Sequence, residues 1–359
     1  MILGTSALVL PEATPLRRAM RRPAEFRQPG YEDAYDSRTL FYDVFRHGDE
    51  VVLSGPPLFN LRQPLAAARF TAGATALVAS LGDIDRTQRS FLRGPAGEAV
   101  ALVADGLNAT LPISADGREL FQGRRVLTAI SRNNRLEWIA DWVTYYAAIH
   151  EVDAILLYDN GSDAYALAEL DAAIGAGPGI EVAVVVNWPF PFGPRAGPDG
   201  AWDSDFCHAS MHEHARFRFL ETAAQVINAD IDELIVTADG RPLHQHLAAA
   251  RSGGLKYAGR WIEGVAGDRT PRFVDFDRYD PTRARCPPKW TIVPAAVPLA
   301  AQWSTHHFVG WSLQPAMGVR YGHFRLITTN WKYDRTKKRN SDNWVVDQVL
   351  RRDLNRAFP

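Results

Sequence analysis

The chain has 359 residues, of which 46% are hydrophobic and 23% charged, so it exceeds one ordinary domain and can form a substantial core. Its 40 Lys and Arg residues are balanced by 41 Asp and Glu residues, which argues against a nucleic-acid partner. Cys207 and Cys286 form no Cys-x-x-Cys pair. This excludes a zinc ribbon, argues against a disulfide framework and favours a reducing, cytoplasmic environment.

Residues 1–30 are predicted to form an N-terminal extension. Residues 1–10 are apolar, but no basic segment precedes them and they are too short to span a bilayer. We interpret them as a frayed start or an early strand. A small basic cluster follows at Arg17, Arg18, Arg21 and Arg22. The cluster is interpreted as solvated surface, and peripheral contact with a membrane is the alternative.

Residues 31–120 are predicted to form a small β-rich accessory lobe. Short apolar runs such as residues 50–53, 76–78 and 99–103 are separated by Gly, Pro, Asn and Asp. This pattern is typical of short strands joined by tight turns.

From residue 121 the pattern changes to alternating strands and helices. Strands are predicted at 126–130, 154–158 and 180–186, and helices at 136–147, 164–174 and 203–222. A repeated β-α-β order predicts an α/β fold with a doubly wound, mainly parallel sheet. Past residue 247 the regularity fades, and an amphipathic helix is predicted near the end of the chain.

A continuous apolar run at residues 225–235 carries two carboxylates, Asp230 and Asp232. It predicts a short buried strand with both carboxylates at its end. Ligands of open α/β sheets bind beyond the carboxyl ends of the strands, and Mg²⁺ and Mn²⁺ prefer oxygen ligands. The run therefore predicts a divalent cation site that holds a diphosphate. An ordinary Asp-rich turn is the alternative.

Four ordered motifs carry a resemblance to a known family. They are Ser-Arg-Asn-Asn at 131–134, a Glu-Trp helix at 137–146, Leu-Tyr-Asp-Asn-Gly-Ser at 157–162 and Asp-Ile-Asp-Glu-Leu at 230–234. Together they resemble the nucleotide-sugar half of GT-A fold glycosyltransferases of the family 2-like and family 92-like types. The segments 288–290, 306–308 and 321–325 are similar to later elements of that family. Asn134 stands where the family usually has Glu, and Tyr145 or Tyr146 where a His is common.

The resemblance implies a GT-A domain over residues 121–359, with a donor half at 121–240 and an acceptor half at 241–359. It implies a metal-dependent hexosyltransferase in polysaccharide or glycoconjugate synthesis. The donor would be a nucleoside diphosphate sugar, with UDP favoured, and the acceptor a glycan or another hydroxyl. Inversion is expected from the resemblance alone.

Donor contacts are expected from residues at the ends of the predicted strands and from one lysine of the acceptor half, namely Ser131, Arg132, Asn133, Asp159, Asp230 and Lys289. Asn133 and Asp159 alternatively cap the helices that follow them. Lys289, Arg325 and Lys332 are candidates to neutralise a leaving diphosphate.

The predicted metal is Mn²⁺ or Mg²⁺, held by Asp232, Asp230 and a histidine. Asp232 is the first choice as ligand, and Asp230 reaches the metal, a metal-bound water or the ribose. The resemblance implies that a C-terminal histidine completes the site, and His306 is preferred over its rivals, His307 and His323. Glu233 is expected to make a local hydrogen bond or salt bridge.

An inverting transfer needs a carboxylate that takes the proton of the acceptor hydroxyl. Glu263, which lies close to Trp261 in the sequence, is the first candidate. Asp268 and Asp342 are the alternatives. A salt bridge from Glu263 to Arg260 or Arg269 is the competing interpretation.

Two other functions remain open. A sugar nucleotidyltransferase would normally open with a Gly-rich phosphate loop, and residues 131–134 contain no Gly. A catalytically silent glycan-binding module on a transferase scaffold would use tryptophans to stack sugars, here Trp188, Trp202, Trp261 and Trp303. His208 and His212 share a helix face, and we interpret them as polar residues near the acceptor cleft rather than a zinc site.

Overall fold

The computed structural model describes residues 1–198, 200, 202–264, 269–329, 335 and 341–359. These residues form a mixed α/β structure with one eleven-stranded sheet, one seven-stranded sheet, three two-stranded pairs and seven α-helices.

The first 120 residues are rich in short strands. Their strands are β1 (Ile2–Leu3), β2 (Leu8–Val9), β3 (Thr39–Phe41), β4 (Asp43–His47), β5 (Glu50–Ser54), β6 (Arg69–Ala72), β7 (Thr75–Ser80), β8 (Asp83–Ile84), β9 (Thr87–Gln88), β10 (Ser90–Arg93), β11 (Ala99–Ala104) and β12 (Leu107–Pro112). Their helices are α1 (Tyr31–Ala34) and α2 (Arg62–Ala66), with 3₁₀ turns at Ala24–Phe26, Phe59–Leu61 and Arg118–Phe121.

The remaining chain alternates strands and helices. Its strands are β13 (Arg125–Ser131), β14 (Ala154–Asp159), β15 (Val182–Asn187), β16 (Gln225–Asn228), β17 (Glu233–Thr237), β18 (Gly254–Gly264), β19 (Phe276–Tyr279), β20 (Cys286–Ile292), β21 (Gln302–Trp303), β22 (Phe308–Val309), β23 (Val319–Phe324) and β24 (Val345–Val346). Its helices are α3 (Leu136–His150), α4 (Leu167–Gly175), α5 (Phe206–Ala215), α6 (Leu243–Ala249) and α7 (Gln348–Ala357), with a π-helical turn at Arg216–Leu220 and 3₁₀ turns at Phe273–Asp275 and Pro294–Ala296.

The seven-stranded sheet is antiparallel, in the order β12-β11-β6-β7-β10-β5-β4. Its strands lie within residues 43–112, inside the range predicted to be β-rich. Side chains alternate between the two faces of a strand, so Val100 and Leu102 of β11 are buried in the core of this sheet while Val103 is exposed. The apolar N-terminus forms β1, which pairs in parallel with β15 of the large sheet through Ile2 and Val185.

The large sheet contains the parallel strands β15-β14-β13-β16, in that spatial order, with β20 antiparallel beside β16. Alternate residues of β13 enter two different cores. Leu127 packs with α3 and α4, whereas Val126 packs with α5. Helices therefore cover both faces of the parallel strands, and the carboxyl ends of these strands share one edge.

The apolar run 225–235 is two strands rather than the single strand that its pattern predicted. β16 ends at Asn228, and β17 begins at Glu233 and pairs with β23 instead. Two reciprocal hydrogen bonds close the turn between them. The Asp230 N–H donates to Glu233 Oε2 at 3.0 Å, and the Glu233 N–H donates to the Asp230 carbonyl at 3.0 Å. Asp230 and Asp232 thus lie in a fixed turn at the carboxyl end of β16.

Three buried side chains of α3 hold β17 in place. Tyr145 donates to the carbonyl of Ile235 at 2.7 Å, and Tyr146 donates to that of Glu233 at 3.0 Å. His150 Nε2 lies 2.8 Å from the Ile235 carbonyl, so this nitrogen carries the hydrogen. Helix α3 therefore fixes the backbone directly after the two carboxylates.

The burial of His150 predicts a loss of stability in mild acid. Burial lowers its pKa to about 4. Below about pH 6.5 the unfolded chain then binds a proton that the folded chain does not, so stability falls with pH through this window. A fall from about pH 7.5 to about pH 5 should cost about 2 kcal/mol through this residue. The measurement is urea unfolding at both pH values.

His150→Gln should remove this part of the pH dependence, because the amide can still donate to the Ile235 carbonyl. The matched control is Gln245→Ala, at an exposed and non-titrating position of α6, which should leave the pH dependence unchanged. An equally steep pH dependence in wild type and His150→Gln would contradict the assignment.

Two of the four clustered arginines are buried rather than solvated. Arg18 is 2% exposed and donates to the carbonyls of Asp36, Thr39 and Pro57 at 2.6–2.7 Å. Arg22 is ion-paired with Asp203 at 2.7 Å. These two cations are therefore structural, and neither is available to a membrane surface.

Among the described residues, no helix combines the length and the apolar character needed to cross a bilayer.

Candidate metal site and substrate cleft

A cleft of about 470 Å³ opens at the carboxyl end of β16. Its lining includes the turn residues Asp230, Ile231 and Asp232, together with His323 of β23 and Trp261 of β18. Because the carboxyl ends of parallel strands form the usual ligand site of such sheets, the cleft lies where a substrate would be expected.

Asp232, Glu233 and His323 form the centre of the site. Asp232 Oδ2 lies 2.9 Å from His323 Nε2, and each of the three residues offers a ligand atom within 4.8 Å of the other two. The strand register explains the arrangement, since Glu233 and His323 are directly opposed in the antiparallel pair β17-β23. Two carboxylates and an imidazole could together hold a divalent metal ion.

Two cations lie against these carboxylates. Lys289 Nζ, which is buried, lies 2.9 Å from Asp230 Oδ1 and 3.1 Å from Glu233 Oε2. Arg335 Nη1 lies 3.1 Å from Asp232 Oδ2 and 2.7 Å from His323 Nε2. Lys289 thus pairs with the two carboxylates that close the turn, while Arg335 contacts both Asp232 and His323.

The close packing of charges shifts several pKa values. Burial alone would lower the pKa of His323, but the adjacent Asp232 carboxylate raises it to about 10. His323 and Arg335 in turn hold the pKa of Asp232 below its ordinary value, against the effect of burial. Burial raises the pKa of Glu233 to about 7, although Lys289 opposes this. Asp232 and His323 would hold a cation only in place of the Arg335 guanidinium, which contacts both of them.

Trp261 shapes the wall next to His323. The two residues are neighbours in the parallel pair β18-β23, and their rings are stacked with centroids 4.3 Å apart at 24°. The guanidinium of Arg335 lies 5.2 Å from the Trp261 ring, and that of Arg325 lies 5.7 Å from it. The indole therefore fixes the plane of the imidazole that faces Asp232.

The turn after β13 contributes Asn134 to the cleft lining. Ser131 is buried and accepts a hydrogen bond from Asn134 Nδ2 at 2.9 Å, while Thr329 donates to the Arg132 carbonyl at 3.2 Å. Of the predicted donor contacts from β13, neither Ser131 nor Arg132 is among the described residues that line the cleft.

Asn133 and Asp159 stabilise the neighbouring loop. Asn133 has φ = 55°, and its Oδ1 accepts from the backbone of Asp163 at 2.9 Å. Asp159 is 1% exposed and accepts from the N–H of Ser162 at 2.9 Å. Neither residue caps the helix that follows, because the N-cap residues are Arg135 for α3 and Ala166 for α4, so the capping alternative is wrong and the contacts stabilise a turn instead.

Glu263 is buried in an ion pair rather than facing the cleft. Its carboxylate accepts from Arg283, and Arg325 Nε lies 3.8 Å away. The structure thus gives Glu263 a salt bridge, with partners other than the predicted Arg260 and Arg269. Of the alternatives, Asp342 is exposed. Asp268 and the predicted phosphate contact Lys332 lie outside the described residues.

The three candidate histidines separate in space. His323 contacts Asp232, whereas His306, the preferred metal ligand, has its Nδ1 3.0 Å from the Pro288 carbonyl. His306 and His307 both line the cleft, and His307 is exposed. The group of potential ligand atoms contains His323 and not His306. Of the two carboxylates predicted as ligands, Asp232 belongs to this group and Asp230 does not. The sequence held no signal for the register that places His323 beside Asp232.

Several cleft residues were missed or misread from the sequence. Arg86, Phe192 and Asp205 line the cleft but were not predicted as site residues. Arg86 is distant in sequence from the other two, since it lies in the β8-β9 hairpin of the N-terminal region. Of the four tryptophans considered for sugar stacking, Trp202 and Trp261 line the cleft, whereas Trp188 and Trp303 are buried in the core.

No protein-family model matches the chain, and no curated protein matches it.

Proposed function

We propose that the protein is a metal-dependent glycosyltransferase that moves a sugar from a nucleoside diphosphate, with UDP favoured, to a hydroxyl acceptor. The observation that carries this proposal is the contact of Asp232 with His323 beside Glu233, at the mouth of a cleft beyond the carboxyl end of β16. A carboxylate and imidazole set in this position suits a cation that binds a diphosphate.

The proposed fold is the GT-A type. It is supported by the parallel order β15-β14-β13-β16, by helices on both faces of these strands and by the antiparallel β20 beside β16. The sequence motifs at 131–134, 157–162 and 230–234 then lie at the ends of β13, β14 and β16, on the edge where the cleft opens.

Mn²⁺ or Mg²⁺ would be held by Asp232 and His323, with Asp230 next to them, and would supply positive charge for the leaving diphosphate. Lys289 keeps Asp230 and Glu233 in position through its two ion pairs. Trp261 holds the His323 ring. Because α3 fixes the strand that follows, the backbone next to Asp232 is held in place before a cation binds.

Calorimetric titration of UDP and GDP into the protein tests the proposal. UDP is expected to bind with Mn²⁺ at least about tenfold more tightly than with EDTA. GDP should bind more weakly than UDP. If neither nucleotide binds with Mn²⁺ or Mg²⁺, the transferase proposal is overturned.

A comparison of two histidine variants tests the ligand set. His323→Gln is expected to weaken Mn²⁺-dependent UDP binding by about tenfold or more, because its imidazole lies 2.9 Å from the Asp232 carboxylate. His306→Gln is the matched variant and should retain the metal effect. A larger loss of Mn²⁺-dependent UDP binding in His306→Gln than in His323→Gln would instead assign His306 as the metal ligand.

A further inference from the structure

One part of the cleft is built by residues that do not belong to the carboxylate and histidine group. Arg86, Phe192, Trp202 and Asp205 all line it, together with His208 and His307. They come from the β8-β9 hairpin, from the loop before α5, from the first turn of α5 and, for His307, from the connection between β21 and β22. We call this part the aromatic subsite.

The charges in the aromatic subsite are matched internally. Arg86 Nη1 lies 2.6 Å from Asp205 Oδ1, and Arg86 Nε lies 3.0 Å from Asp85 Oδ2. The third guanidinium nitrogen, Nη2, lies 3.5 Å from Ser304 Oγ. Among the described residues, two carboxylates thus lie against one guanidinium, which leaves no excess positive charge there for an anion.

Aromatic rings supply an apolar surface beside these polar groups. Phe192 and Trp202 meet edge to face, with centroids 6.2 Å apart at 86°. Phe192 also packs against His208, with centroids 5.7 Å apart. Both Phe192 and Trp202 are half-buried and reach the cleft. Aromatic faces bind the C–H face of a sugar ring, while planar carboxylate and guanidinium groups bond pairs of its hydroxyls.

We propose that the aromatic subsite binds a neutral pyranose ring of the acceptor, stacked on Trp202, whose ring meets that of Phe192 edge to face, and hydrogen-bonded through its hydroxyls to Asp205 and Arg86. This inference rests on the proposed function. It makes the acceptor a neutral glycan rather than a lipid phosphate or an acidic polysaccharide. It also makes the N-terminal hairpin part of the acceptor site, because that hairpin carries Arg86.

Ligand-observed NMR titration tests the proposal without metal or nucleotide. The probes are the methyl pyranosides of glucose, galactose, mannose and N-acetylglucosamine, and the methyl glycosides of glucuronic and galacturonic acid as their anionic counterparts. At least one neutral pyranoside is expected to bind, and its uronic acid counterpart should bind at least about fivefold more weakly.

Variants locate the site. Trp202→Ala should weaken binding by about tenfold, and Trp202→Phe, which keeps a stacking ring, by no more than about threefold. Trp344→Ala, a partly exposed tryptophan outside the cleft lining, should have no effect. Arg86→Gln should weaken binding, and Arg93→Gln, at an exposed position of β10, should not.

UDP binding with Mn²⁺ is measured on the same wild-type preparation to separate this inference from the proposed function. If UDP binds and no neutral pyranoside does, the inference is overturned and the proposed function stands. If a pyranoside binds and UDP does not, the sugar site is supported and the transferase proposal is overturned. Tighter binding of a uronic acid glycoside, or equal loss in Trp202→Ala and Trp344→Ala, would also overturn the inference.

Discussion

Replacing Asp232 with asparagine is expected to abolish metal-dependent nucleotide binding. The amide keeps the shape of the side chain but removes the charge that faces His323 and Arg335 at 2.9 and 3.1 Å. A divalent cation would then meet two positively charged groups without the carboxylate that offsets them. We expect UDP affinity in Mn²⁺ to fall by about 100-fold, to the level measured with EDTA.

The matched control is Asp105→Asn, an exposed carboxylate in the turn between β11 and β12. It should leave UDP affinity and its metal dependence at the wild-type values. Far-ultraviolet circular dichroism and a thermal scan of both variants show whether they are folded. A folded Asp232→Asn protein that binds UDP in Mn²⁺ within about threefold of wild type would remove Asp232 from the metal site.

The parts of the fold that sequence predicted are those set by local patterns. The parallel strands β13, β14 and β15 are mainly apolar runs rich in Val, Leu, Ile and Ala, and α3 shows an apolar face with helical spacing, so each could be located to within a few residues. The short alternating strands of the N-terminal region were equally visible as a β-rich segment. The break between β16 and β17 was not, because the apolar pattern runs through it. The one local indication of that turn was Glu233, three residues after Asp230. The Glu233 side chain closes the turn by accepting a hydrogen bond from the Asp230 N–H.

The candidate site was predictable only where its residues are close in sequence. Asp230 and Asp232 follow a strand directly, and their position is a local property. His323 is 91 residues from Asp232, and it reaches that carboxylate because β23 pairs with β17 in one particular register. Arg86 depends on how a hairpin of one region packs against the loop before α5. Nothing in the sequence around Glu263 indicated that Arg283 would pair with it. Register and packing between distant segments decide such contacts, and a single sequence does not encode them in a readable form.

A buried carboxylate joins the N-terminal strands to the large sheet, and its loss should have the largest effect on stability. Asp43 of β4 is fully buried and accepts hydrogen bonds from the Ser6 N–H at 2.7 Å and from Arg218 Nη1 at 2.8 Å. His214 Nε2 donates to it at 2.9 Å, because His214 Nδ1 accepts from Tyr158 of β14 at 2.7 Å. The network thus connects β4, α5 and β14.

Asp43→Asn is expected to lower the free energy of unfolding by about 3–5 kcal/mol, since it leaves Arg218 as a buried charge without its carboxylate. Burial would raise the pKa of Asp43, but His214 and Arg218 hold it below the ordinary value. The ionised carboxylate therefore stabilises the fold at neutral pH, and this contribution is lost as pH falls below about 4. The difference between wild type and variant should shrink in acid, and urea unfolding at several pH values measures it.

The matched control is Asp49→Asn, an exposed carboxylate in the turn of the same β4-β5 hairpin, which should change stability by less than about 0.5 kcal/mol. If Asp43→Asn loses no more stability than this control, Arg218 and His214 must have other hydrogen-bond partners.

Because Arg86 reaches the cleft from the same N-terminal region, a strongly destabilised Asp43→Asn protein should also lose binding of neutral pyranosides before it loses binding of UDP. Loss of pyranoside binding before UDP binding would show that the N-terminal region forms part of the acceptor site. Simultaneous loss of both would show that the region only supports the large sheet.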